Sequence, residues 1–88
     1  MFDWDEHNVG HIVVKHGVDP GEAEGAVLDP GRTPFPAKGK RTGIIGMTVD
    51  GRVLVVILEH KSRDKWRVVT ARDASSNEKR AYRRRRNR

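Results

Sequence analysis

The sequence predicts an α+β domain with two amino-terminal helices, an antiparallel sheet of three to four strands and a basic carboxyl-terminal helix. Apolar residues recur at helical spacing in the first 30 residues, whereas strand-like runs flank an Asp50-Gly51 turn farther along. A helix-capping sequence then begins at Ser75. Helices segregated from consecutive strands are typical of α+β folds. Because domains usually hold ~100–150 residues, we expect residues 1–88 to form one domain.

The first helix is predicted over residues 5–16. Asp3 or Asp5 is suited to cap its start, and Gly17 is suited to end it in the left-handed conformation. Upstream, Phe2 and Trp4 are expected to form a short strand or to pack on this helix. One helical face is defined by four residues at i, i+3, i+4, i+7 spacing: Val9, Ile12, Val13 and His16.

The second helix is predicted to begin at Asp19-Pro20. Asp19 and Glu22 have the spacing of a capping box, and proline is favourable at the first helical position. Asp29-Pro30 is expected to stop the helix. Its packing stripe consists of small or branched residues, Ala23, Ala26 and Val27.

Residues 30–40 are predicted to form a loop rather than a strand. The segment holds three of the four prolines and two glycines, which disfavour a strand interior. A loop of this length is often functional in a compact domain.

The sheet is predicted to begin with a hairpin formed by Thr42–Val49 and Arg52–Glu59. A two-residue type I′ turn at Asp50-Gly51 would place Met47 opposite Leu54, Ile45 opposite Val56 and Gly43 opposite Leu58. The run from Val53 to Leu58 is apolar on both faces, which is typical of a central strand covered on both sides.

The third strand is predicted over Trp66–Arg72. Simple alternation places Arg67 on the face of Val69 and Ala71, and places Arg72 on the face of Trp66, Val68 and Thr70. A last helix is expected from about Ser76, with residues 83–88 as a basic tail.

The charge is distributed unevenly along the chain. Residues 1–30 carry seven acidic residues and one lysine, whereas the rest is strongly basic and gives the chain its net charge of +6. Twelve of the eighteen basic residues are arginine, whose planar group matches a phosphate with two hydrogen bonds. This pattern predicts attraction to a polyanion such as RNA.

Several classes of function are disfavoured by the sequence. There is no cysteine, so neither disulfides nor thiolate chemistry is expected. No apolar stretch approaches the ~18 residues of a membrane span, and the acidic start does not resemble a signal peptide, so we expect no membrane partner and a cytoplasmic location. His7 and His11 have i, i+4 spacing, but no third metal ligand is evident. Structural or surface roles are therefore favoured, and we expect neither metal nor cofactor.

Three segments of the chain form a recognisable series. They are Trp4-Asp5-Glu6-His7-Asn8-Val9-Gly10-His11-Ile12 leading to Lys15-His16-Gly17-Val18, then Ile45-Gly46-Met47-Thr48 with Asp50-Gly51-Arg52-Val53-Leu54, and finally Arg67-Val68-Val69-Thr70-Ala71-Arg72-Asp73-Ala74 with Glu78 and Tyr82. In their order and spacing, rather than in any one motif, these segments resemble the BrnT family.

The resemblance implies a RelE-like fold and a ribonuclease toxin of a type II toxin–antitoxin pair. Such toxins cleave RNA without a metal and inhibit translation. The resemblance also implies a cognate ribbon–helix–helix antitoxin, with promoter DNA bound only through the toxin–antitoxin complex.

Metal-free RNA cleavage requires a base, an acid and a cation at the phosphate. The catalytic candidates are Lys15, His16, Arg41, Arg72 and Tyr82, and the candidates for RNA binding are Arg67, Arg80, Arg83 and Arg84. Alternative roles remain open for three of them. His16 fits a core position or a helix end, Arg72 fits a salt bridge to Glu22 or Glu24, and Tyr82 fits a packing anchor.

Two other functions compete with the toxin hypothesis. One is a non-catalytic nucleic-acid-binding module, such as a decayed toxin, and the other is a structural or interaction domain. The arginine-rich composition favours the toxin and the binding module over the interaction domain. Catalysis requires that Lys15 or His16, an arginine and a proton donor converge in one basic groove. The placement of these residues therefore distinguishes a catalytic toxin from a non-catalytic binding module.

Overall fold

The computed structural model describes the backbone of residues 1–86 and the side chains as far as Arg85. In this part of the chain, five strands form one sheet in the order β1-β5-β4-β3-β2, in which β1 is parallel to β5 and the other neighbours are antiparallel. The elements in chain order are β1 (Phe2–Asp3), α1 (Glu6–His16), α2 (Pro20–Val27), β2 (Thr33–Pro36), β3 (Thr42–Met47), β4 (Val53–Ser62), β5 (Lys65–Asp73) and α3 (Ser76–Arg86).

The α+β class and the three helices agree with the prediction, but the purely antiparallel sheet does not. The two strands additional to the predicted hairpin and third strand lie at the sheet edges. Phe2–Asp3 forms β1, in agreement with the short strand considered for Phe2. Thr33–Pro36 forms β2 inside the segment predicted to be a loop. Prolines are compatible with a strand there because an edge strand has one row of backbone groups that need no partner.

The hairpin register is one residue away from the predicted one. Met47 lies opposite Val53, Ile45 opposite Val55 and Gly43 opposite Ile57. The loop has three residues, because Thr48 and Arg52 pair through their backbones (N···O 2.8 Å) and Gly51 closes the turn with φ 88°. No other residue type in residues 1–86 has a positive φ, which excludes a type I′ turn at Asp50.

An irregularity in β5 changes the predicted faces of its arginines. Leu58 lies opposite Val68 and Ile57 lies opposite Thr70, so that Val69 is an extra residue. As a result, Ala71 joins Val68 in the core instead of sharing the face of Arg67. Arg72 lies opposite Val55 on the face toward α3, not on the face of Trp66 and Val68.

The core has two layers, one on each face of the sheet. On one face, α1 and α2 bury Ile12, Ala23 and Ala26 against β3, β4 and β5. Gly46 permits this packing, because a Cβ atom there would overlap the carbonyl group of Ala26 in α2. On the other face, Tyr82 of α3 is buried against Ile45, Val55 and Ala74.

The predicted helix caps are present. Asp5 accepts hydrogen bonds from the amides of His7 and Asn8, and Gly17 ends α1 with φ 63°. Glu22 accepts from the amide of Asp19 at 3.1 Å. α3 continues through Arg86, so residues 83–86 of the predicted tail are helical, while residues 87–88 lie outside the described part.

Arg52 connects the helical layer to the sheet. It donates two hydrogen bonds to Asp73, at 2.7 and 3.0 Å, and others to Glu22 and the carbonyl of Gly17. Asp73 holds the pKa of this guanidinium above its usual value, with a smaller contribution from Glu22. In the described residues, no helix combines the length and apolar character needed to cross a membrane.

Candidate functional site

An open groove of about 240 Å³ lies where the first two turns of α1 meet β4 and β5. Its walls come from α1, from the segment before β3, and from adjacent positions on β4 and β5. It is lined by His7, Asn8, His11, Arg41, Glu59, Lys61, Arg67 and Val69. Seven of these eight lining residues are polar or charged, and they include two imidazoles and three cationic side chains.

The position of α1 at the groove is determined by its first turn. Asn8 is buried and donates from its side-chain amide to the carbonyls of Asp3 and Val68, at 2.9 and 3.0 Å. Its oxygen accepts from the amide of Asp5 at 2.8 Å. These three hydrogen bonds hold the start of α1 against β5. As a result, His7 and His11, which precede and follow Asn8, both lie along the groove.

His7 and His11 are one helical turn apart and both line the groove. The Nε2 atom of His11 lies 3.0 Å from the hydroxyl oxygen of Thr70, which orients the ring. His16 packs edge-on against His11, with ring centroids 5.4 Å apart. The groove is therefore lined by two imidazoles one helical turn apart, and the imidazole of His16 contacts that of His11 from outside the groove.

Arg67 lies at the base of the groove and joins β5 to the amino-terminal segment. It lies 3.0 Å from Asp5 and 3.5 Å from Asp3, and its side chain is 23% exposed. The hydrogen bond from Arg67 is the main reason that the pKa of Asp5 falls to about 2. The same pair raises the pKa of Arg67. Arg67 thus holds the start of α1 against β5 and places a guanidinium in the groove beside the carboxylates of Asp3 and Asp5.

Glu59, the cross-strand neighbour of Arg67, pairs with two cations. Lys61 lies 2.5 Å and Arg41 lies 3.5 Å from its carboxylate oxygens. Lys61 and then Arg41 lower the pKa of Glu59. Arg41 approaches Glu59 through its Nε atom, and the Arg41 side chain is 45% exposed, so an anionic ligand can reach it from solvent.

The five predicted catalytic residues are brought together only in part. Arg41 lines the groove, and His16 contacts the groove histidine His11. Lys15 is exposed at the end of α1, one turn beyond His11 on the same face, but it does not line the groove.

The other two predicted catalytic residues lie elsewhere. Arg72 makes two hydrogen bonds to Glu78 at the start of α3, at 2.8 and 2.9 Å. Glu78, and not Glu22 or Glu24, is therefore its salt-bridge partner. Tyr82 is 1% exposed and donates to Asp29 at 2.6 Å, which agrees with the packing role considered for it.

The predicted RNA-binding arginines occupy two regions. Arg67 is in the groove, whereas Arg80, Arg83 and Arg84 are exposed on α3. Arg80 makes a long hydrogen bond of 3.4 Å to Asn77. These three arginines form a separate basic surface on the helix.

The sequence reasoning missed four residues of the groove: His7, His11, Glu59 and Lys61. The i, i+4 spacing of the two histidines is visible in the sequence, but without a third metal ligand it favours only a structural or surface role for them. Within the described residues, no cluster of three or more His, Cys, Asp or Glu side chains has the geometry to hold a metal ion. The same spacing also fits an acid–base pair.

A mixed sheet between helices, with a groove lined by histidine and arginine where α1 meets β4 and β5, defines a small α+β protein of a type suited to bind a polyanion. A family model described as the ribonuclease toxin BrnT of type II toxin–antitoxin systems matches residues 4–78, and the chain belongs to this family.

A solved structure supports this assignment. The chain is similar to the Brucella abortus ribonuclease toxin BrnT, known from a 1.1 Å crystal structure, with a TM-score of 0.70 and 26% identity. The match covers 86% of this chain and 99% of the Brucella chain. A comparison with curated protein sequences finds no match.

Proposed function

We propose that this protein is a metal-independent endoribonuclease toxin whose reaction takes place in the groove between α1 and the β4–β5 strands. The observation that carries this proposal is the placement of His7 and His11, together with Arg41, Lys61 and Arg67, around one open groove. The set supplies two proton-transfer groups and three cations, as metal-free cleavage of a phosphodiester requires.

In the proposed reaction, His11 takes the proton of a ribose 2′-hydroxyl. The 2′-oxygen attacks the adjacent phosphorus, and the bond from phosphorus to the 5′-oxygen breaks. His7 gives a proton to the departing 5′-oxygen, so the products are a 2′,3′-cyclic phosphate and a free 5′-hydroxyl. Thr70 orients His11 for the first step through the 3.0 Å contact with its ring.

The cations stabilise the charge that accumulates on the phosphate oxygens. Arg41 is suited to this role because its side chain is 45% exposed, whereas Arg67 is held in place by its ion pairs with Asp3 and Asp5. Lys15 extends the same face of α1 toward the next phosphate, and His16 supports His11. Arg72 and Tyr82 are proposed to act indirectly, by positioning α3.

The test is cleavage of a defined single-stranded RNA by purified protein in excess EDTA, with the products analysed for a 2′,3′-cyclic phosphate. His11→Ala and His7→Ala should each lower kcat by about 100-fold or more, as expected for loss of a general acid or base. Lys79→Ala, a change on α3 away from the groove, is the matched surface control. Activity against pH should follow a bell-shaped curve, because one histidine acts neutral and the other protonated.

Three outcomes would contradict the proposal. Cleavage abolished by EDTA would exclude the metal-independent reaction. Full activity in the double variant His7→Ala/His11→Ala would place the reaction elsewhere, and Arg72→Ala would then be the next variant. RNA binding without any cleavage would favour the non-catalytic nucleic-acid-binding module.

The family consists of toxins of toxin–antitoxin systems, so an antitoxin partner follows from membership. We propose that this antitoxin has a ribbon–helix–helix fold, that the pair acts in the cytoplasm, and that promoter DNA is bound only by the complex. Expression of the toxin should stop growth through inhibition of translation, and co-expression with the product of the neighbouring gene should restore it.

A further inference from the structure

We propose that the sheet end beside the groove is a second RNA-binding subsite, at which an unpaired base stacks on His60 and its flanking phosphate contacts Lys38 and Lys40. This inference rests on the proposed function and specifies its substrate as single-stranded RNA of several nucleotides. The subsite lies between the segment that joins β2 to β3 and the turn that joins β4 to β5.

Positive charge is concentrated at this end of the molecule. Ala37 bonds to Arg41 through their backbones, which folds residues 37–41 back toward β4. Lys38, Lys40 and Arg41 line a depression together with Glu59 and His60. The adjoining residues 61–65, which lead from β4 into β5, add three exposed basic residues and one acidic residue, Lys61, Arg63, Lys65 and Asp64. Glu59 forms ion pairs with Arg41 and Lys61, whereas Lys38 and Lys40 form no ion pair within residues 1–86. Unpaired exposed cations of this kind suit a phosphate backbone.

An aromatic stack lies at the same place. The ring of His60 is stacked on Trp66, with centroids 4.4 Å apart and an angle of 24° between the planes. His60 is exposed, whereas Trp66 is half-buried and packs against the core. The indole therefore holds the imidazole flat, and the outer face of the imidazole is open. Nucleic-acid bases stack on such faces in many single-strand-binding proteins.

The subsite is continuous with the catalytic groove. A second open depression, of about 610 Å³, is lined by Lys38, Gly39, Lys40, Arg41, Glu59 and His60. It shares Arg41 and Glu59 with the groove, so the Arg41–Glu59 pair forms the boundary between the two. A strand whose scissile phosphate lies beside His7 and His11 would thus pass Arg41 and place a neighbouring base at His60.

The exposed flat ring favours RNA over the other polyanion available to such a protein, an acidic protein segment. The carboxylates of a peptide such as oligoglutamate can pair with the lysines, but its side chains carry no aromatic ring to stack on His60. RNA supplies both phosphates for the lysines and bases for the stack.

The experiment uses Trp66 as the reporter in a Trp4→Phe protein, which leaves one tryptophan in the chain. The probe is a six-nucleotide, fully 2′-O-methylated RNA, which cannot be cleaved because the 2′-oxygen is blocked. Binding should quench the Trp66 fluorescence. His60→Ala should weaken binding by about fivefold or more, and His60→Phe should restore it, because it keeps a planar ring.

The lysines are tested by the dependence of affinity on salt. Lys38→Ser/Lys40→Ser should reduce the slope of log K against log salt by about 1.4, since each phosphate contact to a single strand contributes about 0.7. Arg32→Ser/Lys79→Ser removes the same charge from other parts of the surface and should leave the slope closer to that of the parent. Melting temperatures confirm that each variant is folded.

The outcomes separate this inference from the proposed function. RNA cleavage by the parent protein without any quenching by the probe, or with the same affinity for the probe in the parent, His60→Ala and Lys38→Ser/Lys40→Ser, would overturn the subsite and leave the ribonuclease proposal standing. Quenching by an acidic peptide such as oligoglutamate, but not by the RNA probe, would also overturn it and assign the surface to a protein partner. Quenching by RNA with loss in His60→Ala and rescue in His60→Phe supports the subsite.

Discussion

Replacing Gly46 by alanine tests how α2 is seated on the sheet. A Cβ atom at Gly46 would overlap the carbonyl oxygen of Ala26 and would lie 2.7 Å from its carbonyl carbon. Carbon atoms in contact are normally ~3.5–4.0 Å apart. The helix would therefore have to move away from β3 by about 1 Å, and no side-chain rotation relieves the clash, because the obstacle is backbone.

The free-energy cost of this movement comes from the packing that is lost between α2 and the sheet. Ala23 and Ala26 are fully buried under α2, so a displaced helix loses close packing along its whole contact with β3 and β4. Overpacking of a close-packed interior costs ~1–3 kcal/mol and occasionally more, and a backbone clash belongs at the upper end. A loss of about 3 kcal/mol would lower the melting temperature of a domain of this size by roughly 12–24 °C.

Thermal unfolding followed by far-ultraviolet circular dichroism measures the effect, with Gly25→Ala as the matched control. Gly25 is in the same helix, and a Cβ atom there meets nothing within 4 Å. Its replacement should stabilise the protein by ~0.5–1 kcal/mol through helix propensity. A Gly46→Ala protein that melts within a few degrees of the parent would refute the close contact between Gly46 and Ala26.

Three further predictions concern polar contacts. Arg52→Ala should cost ~2 kcal/mol and lower the melting temperature by roughly 8–16 °C, because Asp73 and Glu22 lose a shared partner. The melting temperature of Arg52→Lys should be intermediate. Equal melting temperatures of Arg52→Ala and the parent would contradict a stabilising role for these ion pairs. The pKa values of Asp5 and Glu78 fall from 3.8 and 4.5 to about 2 on folding, so the stabilisation by these carboxylates is complete above about pH 5 and is lost as the pH falls toward 2. The melting temperature should therefore decrease from pH 6 to pH 2, and it should decrease less steeply for Glu78→Gln. Tyr82→Phe should cost ~1.5–3 kcal/mol in urea unfolding, since it removes a partly buried hydrogen bond to a carboxylate, and an unchanged midpoint would deny that bond a role in stability.

The helices were predictable because their signals are local. Asp5, Asp19 and Ser75 each precede a helix with the side chains that complete its cap, and Gly17 ends α1 where expected. A cap is decided by residues within one turn of each other. Pairing partners in the rest of the chain do not alter it.

The sheet was predictable in outline but not in register. The side chain of Thr48 accepts from the amide of Arg52 at 3.0 Å, and this bond favours the three-residue loop over the two-residue turn that Asp50-Gly51 suggests. The extra residue at Val69 has no sequence signature. The strand Thr33–Pro36 exists because β3 offers it a partner, and such a non-local cause is absent from the segment itself.

The site was harder to predict because it depends on the same details. Arg41 and Arg67 were selected for their charge, and both line the groove. The adjacency of Arg67 and Glu59 depends on the pairing of β4 with β5, and Arg72 faces α3 only because of the irregularity at Val69. The histidines were recognisable as a pair, but their function depends on what the fold places opposite them.

The two prolines of β2 have a consequence for assembly. Pro34 and Pro36 alternate with the residues that face β3, and neither has an amide hydrogen to offer on the outer side. A second copy of the chain that approached this border to extend the sheet would find carbonyl acceptors but no donors at these positions. Growth of the sheet into an intermolecular array is therefore disfavoured at this border, which protects a small, arginine-rich protein from aggregation through strand addition.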